Sequence, residues 1–167
     1  MTAADAFAVV NAEFPDAVSP AGAVDPLRLV AVCTLLRDDP RLGFDLLNDL
    51  CGVDFLEPDP KKLPKAGFDP HLEVVYQLSS FAHPGRRLTL RVVLPRLLPG
   101  GDLPEVPSVT GVWPAAGWHE RECFDLLGVR FAGHPDLRRL LLDDDWVGHP
   151  LRKDYEFPLE YRGIRCR

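Results

Sequence analysis

The hydrophobic positions of this chain change period along its length. Near the start Phe7, Val10 and Phe14 recur at three and four residues, which predicts an amphipathic helix capped by Thr2 and ended by Pro15. A second helix is predicted with Asp25 as cap and Pro26 at the first helical position, where its missing donor is harmless. Leu27, Val30, Ala31 and Leu35 form its apolar stripe, and Asp39-Pro40 stop it. The next stretch, FDLLNDLCGVDFLE, mixes signals: Phe44, Leu47 and Leu50 fit a short helical turn, and Val53 and Phe55 fit a strand after Gly52.

Residues 57–70 hold four prolines and read as an exposed loop, and beyond it the period becomes two. Leu72, Val74, Tyr76 and Leu78 alternate with His71, Glu73 and Gln77; Leu88, Leu90, Val92 and Leu94 alternate with Arg87, Thr89 and Arg91. Each run predicts a strand with one dry face, and SSFAHPGR between them predicts an antiparallel hairpin with a loop longer than two residues. PRLLPGGDLPEVPS is then irregular, because its prolines exclude a central strand. GVWPAAGWHERECFDLLG reads as a helix from Pro114 to a Gly128 cap. From there to the end Gly, Pro and charged residues crowd together with no sustained period, as in an extended arm held by specific side-chain contacts. The reading is therefore an α+β fold: a two-layer domain with a mixed or antiparallel sheet on helices over residues 1–112, then a signature helix and loop-rich arm over 113–167.

Composition narrows the function. The chain has 167 residues, 46% hydrophobic and 26% charged, which is globular. Its 17 prolines are about twice the usual share of ~5%, so long loops are expected. A net charge of −6 disfavours a phosphate-backbone binder. No window spans a bilayer and no basic leader opens the sequence, so a cytosolic protein, or one docked on a membrane through others, is expected. Cys33, Cys51, Cys123 and Cys166 are scattered, without a C-x-x-C pair, and read as reduced thiols.

Several constellations carry both a chemical and a plainer reading. His119 and Cys123 lie four apart on the predicted helix and could pair as base and thiolate or as two metal ligands, but no third group accompanies them. Glu120 and Glu122 point about 200° apart on a helix and cannot share a proton. Arg121 and Asp125 are spaced to pair, with Glu122 alongside and Trp118 a turn earlier. Amid the buried-type residues Trp113, Trp118, Phe124 and Phe131, these charges either clamp the arm through Arg138, Arg139 or Arg152 or meet a partner protein. His134 and His149 each precede proline and read as rigid loop corners. Asp143-Asp144-Asp145 lacks the spaced oxygens of a calcium loop and reads as a solvated turn or a partner-facing patch. No phosphate cradle, G-x-S-x-G elbow or H-E-x-x-H helix occurs. These residues suit a scaffold better than a free-standing enzyme.

One ordered set is far more specific: Glu120-Arg121-Glu122, Asp125, Gly128, Phe131, Gly133-His134-Pro135, Leu137-Arg138-Arg139 and Gly148-His149-Pro150-Leu151-Arg152-Lys153-Asp154. It resembles the thirty-kilodalton subunit family, also called the C subunit, of NADH-quinone oxidoreductase (respiratory complex I), most closely over residues 108–160. The resemblance implies a peripheral-arm component of the proton-translocating complex, on the cytoplasmic side of the cell membrane. There it would pack against the forty-nine-kilodalton (D) subunit near the quinone cavity. It implies no cofactor in this chain; FMN, iron-sulfur clusters and quinone belong to partner subunits. Glu120, Arg121, Glu122, Asp125, Gly128, His134, Pro135, Arg138, Arg139, His149, Pro150, Arg152, Lys153 and Asp154 carry over as structural and interface positions, not catalysts, with Arg121 and Glu122 expected to be paired and partly buried. Leu127 departs from the family's usual Phe, and Cys51 and Cys123 are also departures. Many relatives continue with a longer tail, and the D subunit is expected as a separate chain. The alternative is the homologous subunit of a membrane-bound hydrogenase or F420-linked dehydrogenase.

Overall fold

Alternation of apolar and polar residues sets the centre of the molecule. In the computed structural model, which describes every residue except Pro60, Pro99 and Arg167, strands β2 (His71–Ser79) and β3 (Arg87–Leu94) pair antiparallel. All eight alternating apolar side chains from Leu72 to Leu94 are buried, with Val74 opposite Val92 and Tyr76 opposite Leu90.

Strand β1 (Leu46–Phe55) pairs antiparallel with β2, giving the sheet order β1-β2-β3. This corrects the helical turn expected at Phe44, Leu47 and Leu50. The register steps from Leu47 opposite Leu78 to Asp49 opposite Gln77, so Asn48 is the extra residue of a β-bulge. A bulge turns two residues three apart onto one face, and both Leu47 and Leu50 are buried. Phe44 sits in the preceding loop, where its carbonyl accepts the Trp113 indole N–H at 3.1 Å.

Helices cover the apolar face of the sheet. α1 (Ala3–Glu13) begins in a capping box between Thr2 and Asp5 and lies against β3. Asp25 caps as expected, but Pro26–Arg28 form a single 3₁₀ turn, and α2 (Leu29–Asp38) follows. Of the expected stripe on α2 only Leu35 packs, partly buried, against the core, and Ala31 is exposed. Leu27 is 91% exposed and Val30 is exposed, whereas Leu29, Val32, Cys33 and Leu36 face the core. The segment is apolar on most sides, so two stripes satisfy the helical spacing and only packing chooses between them.

The proline-rich stretch after β3 does carry one short strand, β4 (Glu105–Pro107), parallel to β5 (Arg130–Ala132). Helix α3 (Ala116–Leu127), which starts two residues later than expected, is the crossover between them. It packs on β1 across Gly52, where a Cβ would collide with Leu127 and Cys123. The chain closes with a small hairpin, β6 (Glu160–Tyr161) and β7 (Ile164–Arg165).

Candidate functional site

Helix α3 leaves its last carbonyls without intrahelical partners, as every helix does. Here the arm supplies them. The Asp125 carbonyl accepts from His149 Nδ1 at 2.9 Å and from Arg139 at 3.2 Å. The Leu126 carbonyl accepts the Leu151 N–H at 3.0 Å, and Arg152 donates to the carbonyls of Leu127 (2.7 Å) and Gly128 (3.2 Å). Two guanidinium groups thus sit at the negative end of the helix dipole, where cations are favoured. Gly128 takes the left-handed cap conformation (φ 68°), and a Cβ there would collide with the His149 ring.

The Asp125 side chain is the second half of the joint. Fully buried, it receives Arg139 on one oxygen at 2.7 Å and the N–H groups of Leu140, Leu141 and Leu142 on the other at 2.7–3.0 Å. Burial pushes its pKa up, but the Leu142, Leu141, Arg139 and Leu140 donors together outweigh this and hold it below the usual value. Arg121 does not pair with Asp125, contrary to the spacing argument. It donates instead to the carbonyls of Arg138 (3.2 Å) and Arg139 (3.1 Å) and stacks over Trp118, its guanidinium 5.2 Å from the ring centre. Trp118 is exposed rather than buried. Glu122, expected to be paired and partly buried, is exposed, with no ion pair among the described residues.

Glu120 is buried completely and holds the turn after β4: it accepts from the Ser108 hydroxyl at 2.6 Å and the Val109 N–H at 2.7 Å. Burial raises its pKa despite those donors. His134 accepts the Asp136 N–H on Nδ1 (3.0 Å), so its proton is on Nε2, which donates to the Gly117 carbonyl (3.0 Å). Pro135 is exposed at this corner and Pro150 half-buried beside His149. Arg138 pairs locally, with Asp136 at 3.0 Å.

A further clamp had no sequence signal. Arg96, in the irregular stretch after β3, binds Asp54 of β1 through two bonds (2.8 and 2.9 Å) and Asp154 of the arm through two more (2.7 and 2.9 Å). The Lys153 backbone N–H completes Asp54 at 2.9 Å, while the Lys153 side chain stays exposed. Asp143 and Asp145, read as a solvated turn or partner patch, accept from Tyr161 and Arg162 and tie down the closing hairpin.

No chemical pair forms at His119 and Cys123. His119 turns to Asp49 (3.5 Å), and burial pushes the Cys123 thiol well above its ordinary pKa. Among the described residues no group of three or more His, Cys, Asp or Glu side chains is arranged to hold a metal. Among the same residues no helix is long and apolar enough to cross a membrane.

The geometry defines a class: an α+β domain whose signature polar residues bind one segment of the chain to another and whose arm is latched to one helix end. Residues 23–161 match the family model described as respiratory-chain NADH dehydrogenase, 30 kDa subunit, and the chain belongs to that family. It is 48% identical to the C subunit of NADH-quinone oxidoreductase from Roseiflexus sp. (strain RS-1) over 131 residues, covering 78% of this chain and 66% of that one. For the same subunit of Coxiella burnetii the figures are 45% over 155 residues, 80% and 65%, and for that of Acidithiobacillus ferrooxidans 52% over 129 residues, 77% and 58%. The chain therefore spans less than two thirds of the length of these relatives. A solved structure of a trypsin-resistant fragment of Nqo5 is similar at TM-score 0.48 and 28% identity, over 69% of this chain and 80% of that one.

Proposed function

We propose that the chain is a scaffold subunit of the peripheral arm of proton-translocating NADH:quinone oxidoreductase, docked beside the forty-nine-kilodalton (D) subunit of the quinone-reducing module. FMN, iron-sulfur clusters and quinone are held by other subunits, and the chain reaches the cytoplasmic face of the membrane only through them. The observation that carries this reading is an inverted arm. Its polar groups (Arg139, His149, Arg152) turn inward to latch α3, and its apolar ones (Val147 at 84% exposed, Leu159 at 74%, Leu141 and Ile164) turn outward. Apolar side chains presented this way on a polar-latched frame suit burial against another protein. The three relatives all bear the NADH-quinone oxidoreductase name, which does not favour a hydrogenase-type complex.

Pull-down of the tagged chain from gently solubilised native membranes tests it. Recovery with the D subunit and with flavin and iron-sulfur partners is expected, and Val147→Asp with Leu159→Asp should reduce it. Hydrogenase-type partners would move the assignment to the sister complex, and stable recovery of the chain alone would overturn the scaffold role.

A further inference from the structure

We propose that the free edge of β1, with the groove beside it, takes up an extended segment of a neighbouring subunit as a fourth strand of the sheet. This rests on the scaffold reading, since the segment must come from the same complex, but it concerns a different surface from the outward side of the arm.

β1 is the end strand of the sheet and at ten residues its longest. None of the backbone hydrogen bonds outside the sheet, among the described residues, involves residues 46–55. In an antiparallel pair every second residue turns its N–H and C=O away from its partner, so this edge presents a row of unpaired donors and acceptors. Bulging and inward charge, which often blunt such edges, are confined to Asn48 and Asp54 at its two ends. Between them Cys51 and Val53 are exposed.

Beside the edge lie two hollows of about 80 and 390 Å³ that share Gly52, Leu127 and Leu151. Because Gly52 has no side chain, α3 sits close to the strand, and Leu127 with the exposed Leu151 makes an apolar wall along it. A row of backbone groups next to an apolar wall matches an extended chain, which supplies backbone partners and an apolar side chain at every second residue; a docked helix has no free backbone groups to offer. The charges give the occupant its polarity. Asp49 and Glu122 flank one end and the exposed Lys153 stands at the other. The segment that fits carries a basic residue at the Asp49 end, apolar residues at alternate positions, and an acidic residue at the Lys153 end.

Hydrogen exchange of the full chain, alone and within the complex purified through a tag on it, tests this. Alternate amides of residues 49–55 are expected to exchange at least ~100-fold more slowly in the complex, as buried sheet bonds do. Glu122→Lys, at an exposed position and so with unchanged melting, should lower partner recovery roughly tenfold by facing a like charge, and Glu122→Gln should lower it less. An assembled complex with unchanged exchange over 49–55, or with uniform slowing lacking the alternation, overturns the added strand and leaves the scaffold role intact. Equal recovery with Glu122→Lys overturns the proposed polarity. A chain that purifies with no partner overturns the scaffold role and the added strand together.

Discussion

Asp125→Ala removes one carboxylate and strands four donors: the guanidinium of Arg139 and the N–H groups of Leu140, Leu141 and Leu142. Arg139 keeps the carbonyls of Trp146 and Gly148, so its charge is not wholly orphaned, but it loses its ion pair. Breaking one side of a buried pair costs about 3–5 kcal/mol, and the three amides add to the upper part of that range. The loss falls on the arm first, because every severed bond joins α3 to residues 139–142. The amides of Leu140–Leu142 should therefore exchange roughly 100- to 3,000-fold faster, at ~1.4 kcal/mol per tenfold. The melting temperature of the full chain should fall by roughly 6–20 °C. Acid provides an independent check. The folded pKa of Asp125 lies below the ordinary 3.8, so its contribution is complete above that pH and is lost as pH falls through the folded value. The wild type should lose this increment below pH 3.8, and the variant should show no such loss. A penalty under ~1 kcal/mol, or unchanged exchange at Leu140–Leu142, would refute the latch.

Three further outcomes follow from the same joint. Gly128→Asn, tolerated at ordinary left-handed helix caps, should here destabilise by more than ~1 kcal/mol in urea titrations, because its Cβ would meet the His149 ring. Glu120→Gln should stay within about 1 kcal/mol of wild type at neutral pH, since an amide keeps both the Val109 and Ser108 contacts. Its pKa is raised by burial, so the wild type should lose stability relative to this variant as pH rises above 4.5, seen in paired denaturation series. Burial, the largest cause, also depresses the His149 pKa below 6.5. Arm stability, followed by exchange at Leu151, should hold above that pH and decline as pH falls beneath it, a slope that His149→Gln should flatten.

What the sequence disclosed depended on range. β2, β3 and the Gly128 cap were legible because a two-residue period and a left-handed glycine are local features. β1 imitates a helix because one inserted residue, Asn48, produces helical spacing, and a bulge is visible only once the partner strand fixes the register. The inward face of α2 was hidden because Leu29, Val32, Cys33 and Leu36 are no more apolar than the residues that face out. At the candidate site the motif residues were found by pattern, but their partners were not. Arg121 reaches residues 138 and 139 rather than its helical neighbour, and Arg96 joins residues 54 and 154 from within a loop that has no period at all. The carbonyls that Arg121 binds leave no complementary charge in the sequence, and the carboxylates that Arg96 binds lie 42 and 58 positions away, beyond any local spacing rule.

The bond from the Lys153 N–H to Asp54 spans 99 positions, and its consequence belongs to biosynthesis. Strand β1 leaves the ribosome long before the arm, so Asp54 waits with Arg96 as its donor until the last stretch of chain emerges. A ribosome that stalls before residue 153 releases a sheet whose buried carboxylate lacks one of its donors, and one that stalls before residue 139 also leaves the last carbonyls of α3 without the arm's donors. A nascent chain stalled before residue 153 should therefore open more readily at β1 than one carried past it, a difference that proteolysis of the stalled chains would read.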